Sequence, residues 1–347
     1  MLVTLRLAVP PDLTDATERL LRGDPRVCNL VIIRGGAVEP EGHAIFADVA
    51  REGAAEVLSS LAGIGIGERG AISVSQLDAA PSRAARAAER AAPGSPDDGV
   101  IWHVVEEQAW EAAKPSISFH VFLCLAVALA SIAVVTDSVI LVIGAMVVGP
   151  EFSLVAAICV GIVLRRWEIV RRSAFVLLWT FALSILVVGL LALVARAAGW
   201  VTTEMVAQDR PLTGFIWHPD RWSFVVALLA GMAGVLSMTT GKSSALVGVF
   251  ISVTTVPAAG NLALALAVWV PQEIRGSGLQ LLVNIAGMTI AGVVTLLIQR
   301  AAWGRISRRR GASPPAQTPS PSPSPSRSPS PSPSPSPSPP GSPRARP

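Results

Sequence analysis

The chain has 347 residues, of which 51% are hydrophobic and 15% charged, with a formal net charge of +4. A soluble globular protein carries about 25% charged residues, so the composition argues against a soluble enzyme and for a membrane protein. The positive balance does not point to nucleic acid, because the arginines gather at the ends of apolar runs, where membrane topology explains them.

Residues 1–80 read as a small α/β domain. Leu2 to Val9 alternates as a strand, and Pro11 to Arg22 is a helix capped by Asp12 or Thr14. Val27 to Ile33 is an apolar strand that ends at Gly35 and Gly36. Ala44 to Val49 is a further strand, Ala54 to Leu61 a helix closed by Gly63, and Ala71 to Leu77 the last strand. The order β-α-β-β-α-β is that of ferredoxin-like domains, whose helices cover one sheet face. This topology hosts many functions and fixes none. Met1 to Pro10 lacks a basic stretch followed by a long apolar core. The first membrane-length run begins more than a hundred residues in, so this domain is expected in the cytosol.

Residues 81–99 form a linker in which an Ala/Arg stretch is helical until Pro93, Gly94 and Pro96 break it. Residues 100–116 predict an amphipathic helix, with Trp102, Val104, Val105 and Trp110 set among Glu106, Glu107 and Glu111. Its acidic face favours packing on protein over anionic lipid. Six apolar runs follow within the 117–300 region, at 117–135, 138–164, 173–196, 222–240, 244–270 and 279–299. Each is near the roughly 20 residues that cross about 30 Å of hydrocarbon. Arg165, Arg166, Arg171 and Arg172 follow the second run, Lys242 the fourth, and Arg300, Arg305 and Arg308–Arg310 the sixth. Short basic loops stay cytoplasmic, which places both termini inside the plasma membrane. Trp200, Trp222, Trp269 and Trp303 lie near run ends, as an aromatic belt does. Residues 301–347 are a basic flank and a Ser/Pro repeat that buries no core and is expected to be disordered, serving as a spacer.

The second and fifth runs are long and interrupted. The second contains Gly144, Gly149 and Pro150 followed by Glu151; the fifth contains Gly248, Pro257, Gly260 and Asn261. Proline removes a backbone donor, and unwound backbone at membrane depth persists only where it is buried in protein or lines a cavity. The two interruptions occupy matching places in halves of three runs each. An odd number of crossings per half predicts a 3+3 inverted repeat with a transport site at the paired breaks; two independent proline kinks are the alternative. Glu151, in mid-run, is costly in hydrocarbon. It is read either as a proton or cation carrier, or as a structural hydrogen-bond partner of the broken-helix backbone, or as a residue nearer the interface. Asn261 is its expected facing partner, and Asn284 in the sixth run is a further polar group open to inter-helix bonding. Ala227/Gly231 and Gly287/Ala291 permit close helix approach. No phosphate loop, nucleophile elbow or zinc spacing is present. Cys28, Cys124 and Cys159 read as buried small hydrophobes, and His120 and His218 as lone, non-metal histidines.

The stretch from Thr136-Asp137-Ser138 through Ile143-Gly144-Ala145-Met146 to Gly149-Pro150-Glu151 resembles the domain-of-unknown-function 389 family, also called the uncharacterised hydrophobic domain family. Val256-Pro257 with Asn261, and Asn284, are similar to that family's later segments. Phe152-Ser153-Leu154 stands where the family often has a second proline. The resemblance covers roughly residues 100–300 and implies a membrane protein with no established activity.

Two function classes remain. One is a secondary transporter or channel-like protein for a small solute or ion, with Gly144, Gly149, Pro150, Glu151, Pro257, Asn261 and Asn284 along its pathway. The other is a membrane-anchored sensor or scaffold whose α/β domain binds a ligand. An enzyme is disfavoured, since His, Asp and Glu do not cluster. No cofactor, metal or nucleic acid is expected; the expected partners are the lipid bilayer, a small solute or ion, and further copies of the chain in a homo-oligomer.

Overall fold

The computed structural model describes residues 1–92, 99–241 and 253–311, with side chains described through residue 302. The Pro93–Pro96 break, Lys242, the first part of the fifth run with Gly248, the side chains of Trp303, Arg305 and Arg308–Arg310, and the Ser/Pro tail lie outside these described parts.

The N-terminal sheet has strands β1 (Leu2–Val9), β2 (Val27–Val38), β3 (Glu41–Ala50) and β4 (Ala71–Gln76) in the antiparallel order β2-β3-β1-β4. β1 is central: Leu5 pairs with Ala47 of β3 and with Val74 of β4. Side chains alternate across a strand, so Val3, Leu5, Leu7 and Val9 all face one side and are buried there. Helices α1 (Thr14–Gly23) and α2 (Arg51–Ile64) cover that side with Leu21, Val57, Leu58 and Leu61. Burying each such side chain is worth about 1.5–3 kcal/mol, which makes this a core in its own right. β2 does not stop at Gly35. It runs on to Val38 through an irregularity between Ile33 and Ala37, and Gly35 takes φ 68° there, where a side chain is disfavoured. A short helix α3 (Ile66–Arg69) occupies the glycine-rich segment before β4. Helix α4 (Arg83–Ala91), capped by Ser82 accepting from the Ala85 N–H at 3.0 Å, packs on the opposite sheet face against Leu2 and Cys28. The sheet is therefore covered on both sides, although β-α-β-β-α-β order alone predicts one.

The remaining helices form an apolar bundle. α5 (Trp102–Ala112) buries Val105 and Ala109 in the bundle core and packs on α8, as its acidic face predicts. α6 (Ile117–Val135), α7 (Val139–Val148), α8 (Phe152–Leu164), α9 (Trp167–Ala197), the short α10 (Thr203–Ala207) and α11 (Arg221–Thr240) follow. They are succeeded by α12 (Thr255–Val268) and α13 (Pro271–Gly311). Four of these, α6, α9, α11 and the part of α13 up to Ala302, are long and apolar enough to cross a membrane, and α7 with α8 is a pair bent by 50° that together reaches that length. α12, with 14 residues, spans only about 21 Å. Four crossings, or five with the bent pair, thus stand among the described residues, against six expected. The shortfall lies in the fifth run, whose residues 244–252 are outside them.

Large apolar side chains such as Phe175, Leu178, Leu186, Leu190 and Val194 of α9 point outward, which suits a lipid surround and no other solvent. Inside, small residues set the helix spacing. A Cβ on Gly231 of α11 would lie 2.4 Å from the Met288 carbonyl oxygen of α13, and one on Gly287 would meet Ala227 at 2.9 Å. The expected small-residue contact is this α11–α13 seam.

The N-terminal domain docks at one end of the bundle. Arg51 of α2 donates to the Thr239 carbonyl at 2.8 Å and to the Gly99 carbonyl at 3.2 Å. A guanidinium there satisfies last-turn carbonyls of α11 and complements its dipole. At the same end Arg166 pairs with Glu106 of α5 at 2.7 Å, and Arg300 donates to the Val163 carbonyl at 2.8 Å. The basic turn after α8, the basic end of α13 and the N-terminal domain therefore share one side. The opposite end carries the α6–α7 turn, the 198–220 connection and the α12–α13 turn, with Trp200, Trp222 and Trp269 exposed there.

Candidate functional site

The α7–α8 break is built by Gly149, Pro150 and Glu151. The Gly149 N–H still donates to Ala145, but Pro150 has none to offer, and regular bonding resumes only with Ser153 and Leu154 donating to the Pro150 and Glu151 carbonyls. Gly149 is needed because the space is taken. A Cβ on it would lie 2.5 Å from Glu151 Oε2 and 2.7 Å from Val256 Cγ2. That single point places the Glu151 carboxylate against the first turn of α12. Glu151 is buried, and its Oε2 has no hydrogen-bond partner among the described residues.

The second interruption differs from the expectation. Pro257 does not break a continuous helix; it is the third residue of α12, where a backbone donor has no helical acceptor in any case. The helix begins after Thr254, its N-cap residue. Thr254 Oγ1 accepts from Gln280 Nε2 at 2.9 Å and Asn284 Nδ2 at 3.1 Å, both on α13. Thr255 Oγ1 and Gln280 Oε1 are buried without partners among the described residues. Polar groups thus converge on the start of α12 from α8 and from α13.

α13 supplies a polar stripe that the sequence reading passed over. Glu273, Ser277, Gln280 and Asn284 are all buried, and their spacing of four, three and four residues sets them on one helix face. The stripe covers about 16 Å of helix axis, close to half of a hydrocarbon layer. Its outer end is charged. Arg210, from the 208–220 connection, reaches Glu273 at 2.7 Å and donates to Asn261 Oδ1 at 2.8 Å. Asn261 Nδ2 in turn donates to Glu273 Oε2 at 2.9 Å and Ser277 Oγ at 2.8 Å. Glu273 also stands in the first turn of α13, where the helix dipole favours an anion. The connection is fastened nearby: Thr213 Oγ1 donates to Asp137 Oδ1 at 2.7 Å, and Gly276 of α13 lies so close to the Trp217 carbonyl that a Cβ would stand 2.1 Å away.

Of the predicted site residues, Gly149, Pro150 and Glu151 form the break, which lies against Val256, the neighbour of Pro257 in the first turn of α12. Asn284 bonds Thr254, the residue before that turn. Asn261 does not face Glu151: its amide is engaged by Arg210, Glu273 and Ser277 further along α12. Gly144 lies in mid-α7, where a Cβ would stand 3.6 Å from the Leu129 side chain of α6 in ordinary contact, and it contributes no polar side chain. Arg210, Glu273, Ser277 and Gln280 were missed. Glu273 and Ser277 stood in the segment between the fifth and sixth runs, read as a loop, and Arg210 in the one between the third and fourth; yet Pro271 starts a helix in its preferred first position, and the Glu273–Ser277 spacing continues through Gln280 to Asn284. Ser131 and Thr180 bond carbonyls, Ser131 reaching Gly260 on α12. Cys124 lies 3.2 Å from Ser184 Oγ, and all three cysteines are free. Among the described residues no cluster of His, Cys, Asp and Glu is fit for a metal. A cleft of about 880 Å³ lies at Trp167–Phe175 on the surface of the basic turn, away from these groups.

Apolar helices of crossing length around a buried polar seam define a multi-pass helical membrane protein. Residues 146–290 match the family described as Domain of unknown function (DUF389), the family that the Gly144–Glu151 segment resembles. The match runs from Met146 in α7 through the break, the Arg210 connection and α12 to α13, and so takes in the whole polar seam except Asp137. It covers less than the 100–300 stretch of the resemblance. No curated protein and no solved structure matches the chain.

Proposed function

We propose that the protein is a secondary transporter or channel-like protein for a small solute or ion, rather than an enzyme. One observation carries this reading: the unwound Gly149–Glu151 segment abuts the first turn of α12 and leaves a buried carboxylate oxygen without a hydrogen-bond partner among the described residues. Broken helices that meet around unsatisfied polar groups are how transporters build sites at membrane depth. The stripe from Glu273 to Asn284 gives the site a polar route to one end of the bundle. The six apolar runs of the sequence, taken as six crossings in two halves that enter from opposite sides, make an inverted repeat. The basic flanks and the N-terminal domain on one side support both termini in the cytoplasm of a plasma-membrane protein. The strand order β2-β3-β1-β4 with two helices on one face supports a ferredoxin-like domain there.

The test is reconstitution into liposomes and measurement of flux over a panel of small ions and solutes. At least one should cross, and E151Q should alter its rate by tenfold or more while the protein remains monodisperse, with P257A changing it less. Unchanged flux in E151Q across the panel rejects the assigned site.

A membrane-anchored sensor is the second reading. A cleft of about 700 Å³ between the N-terminal domain and α5, with Leu58, Ile72 and Val74 on one wall and His103, Glu107 and Glu111 on the other, favours it. Arg51 bonded to the end of α11 then links a ligand-binding domain to the bundle, and the two readings join if that domain gates the pathway.

A further inference from the structure

Arg210 belongs to no helix of the bundle, yet its guanidinium is inserted between two of them. Both groups that hold its tip are oxygen acceptors, Glu273 Oε1 and Asn261 Oδ1, at 2.7 and 2.8 Å. The cage is shaped without the arm. Asn261 and Ser277 fix each other and the second carboxylate oxygen, and α12 and α13 are joined by a turn of only Trp269 and Val270, with Trp269 left-handed at φ 61°. The fit is incomplete, since the buried Nε and Nη2 of Arg210 both lack a hydrogen-bond partner among the described residues, and Nη2 meets Glu273 as a charge contact only. A carboxylate beside an amide oxygen matches the fork of a planar guanidinium better than it matches a compact ammonium.

We propose that Asn261, Glu273 and Ser277 form a binding site for a small planar cation of the guanidinium class, filled in this structure by Arg210 of the same chain as a tethered occupant. The proposal does not depend on transport. A group tethered by a short connection acts at millimolar effective concentration, so free guanidinium at that level does not displace Arg210, but it fills the cage once Arg210 is shortened. Removing the arm otherwise leaves the Glu273 carboxylate buried and unpaired.

The experiment uses the full chain in detergent, with guanidinium chloride as probe and sodium chloride at equal ionic strength as control, read as the thermal midpoint. R210A is expected to unfold well below the native protein and to regain several degrees with millimolar guanidinium, saturably, while sodium gives no such gain. The native protein and R210K, which retains a cation in the cage, stay unmoved, and R210A/E273Q loses the response. If R210A is recovered only when extracted with guanidinium present, that is the same result in another form. A midpoint of R210A that ignores guanidinium, a gain as large in R210A/E273Q or in R210K, or failure to recover R210A with guanidinium present overturns the proposal.

Discussion

An arginine–carboxylate ion pair stands in the N-terminal domain and another in the bundle, in opposite surroundings. In the N-terminal domain Arg69 holds Asp12 through two bonds of 2.9 and 3.0 Å, with side chains 55% and 56% exposed. In the bundle Arg210 holds Glu273 at 2.7 Å with exposures of 1% and 3%. Water solvates both partners of the first pair nearly as well apart as together, so the pair adds little. The second pair has lost its hydration, and each charge depends on the other. The exposed pair is bidentate and the buried one a single contact, so solvent access and not the number of bonds decides what each is for.

Breaking one partner of the buried pair should therefore have the largest effect. E273A leaves Arg210 uncompensated and is expected to cost about 3–5 kcal/mol, a large part of the roughly 5–15 kcal/mol of a typical fold. Thermal or denaturant unfolding in detergent measures it. R210M/E273L, which removes both charges, should recover most of that loss; a double variant as unstable as the single one would show that the pair's charge is not what matters.

Packing at the bundle's tight points comes next. Gly231→Ala drives a methyl into the Met288 carbonyl and should cost about 1–3 kcal/mol, read as a lower midpoint. An unchanged midpoint would mean that α11 and α13 are not seated this closely.

A smaller effect belongs to the junction between the halves. Glu52 is buried next to Gly99, its Oε2 has no partner among the described residues, and burial pushes its carboxyl above the usual carboxylate range. A carboxyl with a raised folded-state pKa binds its proton more tightly in the folded form, so stability falls as pH rises past its unfolded value. Acidification from neutral pH toward 5 should raise the midpoint slightly, and E52Q should raise it at neutral pH and flatten the pH dependence. An E52Q midpoint below the native one contradicts this. At the bottom of the scale, R69A should leave the midpoint within error.

The comparison also explains what the sequence made legible. Strands of the N-terminal domain follow from period-two alternation and its helices from apolar spacing, and their order was readable within a few residues; the caps were not, since α1 begins after Leu13 with no side-chain cap from Asp12 or Thr14, and α2 passes Gly63 to close at Gly65. The errors were local: β2 continues past Gly35 because one bulge accommodates the glycines, and α4 covers a face for which topology alone gives no helix. In the bundle the apolar runs stood out, and so did Gly149-Pro150-Glu151, because proline and a carboxylate are conspicuous in hydrocarbon. Pro257 misled, since a proline in a first turn and a proline in mid-helix read alike until the helix start is known. The Arg210–Glu273 pair was hidden for a different reason. Charged residues beside apolar runs normally mark the edge of the membrane, and only the four-three-four spacing from Glu273 to Asn284 carries the signal that this turn belongs to the buried helix. Which connection then reaches back to pair with it is a tertiary fact.

The central claim is that the α7–α8 break lies on a polar route and not in a closed apolar core. In a background with Cys28, Cys124 and Cys159 replaced by alanine, Glu151→Cys can be compared with Leu186→Cys, whose position on α9 faces outward. The rate of modification by a membrane-impermeant methanethiosulfonate, measured in intact membranes, decides the matter. The account predicts that Cys at 151 reacts and Cys at 186 does not, despite the far greater surface exposure of the latter. Inert cysteines at both positions would contradict it.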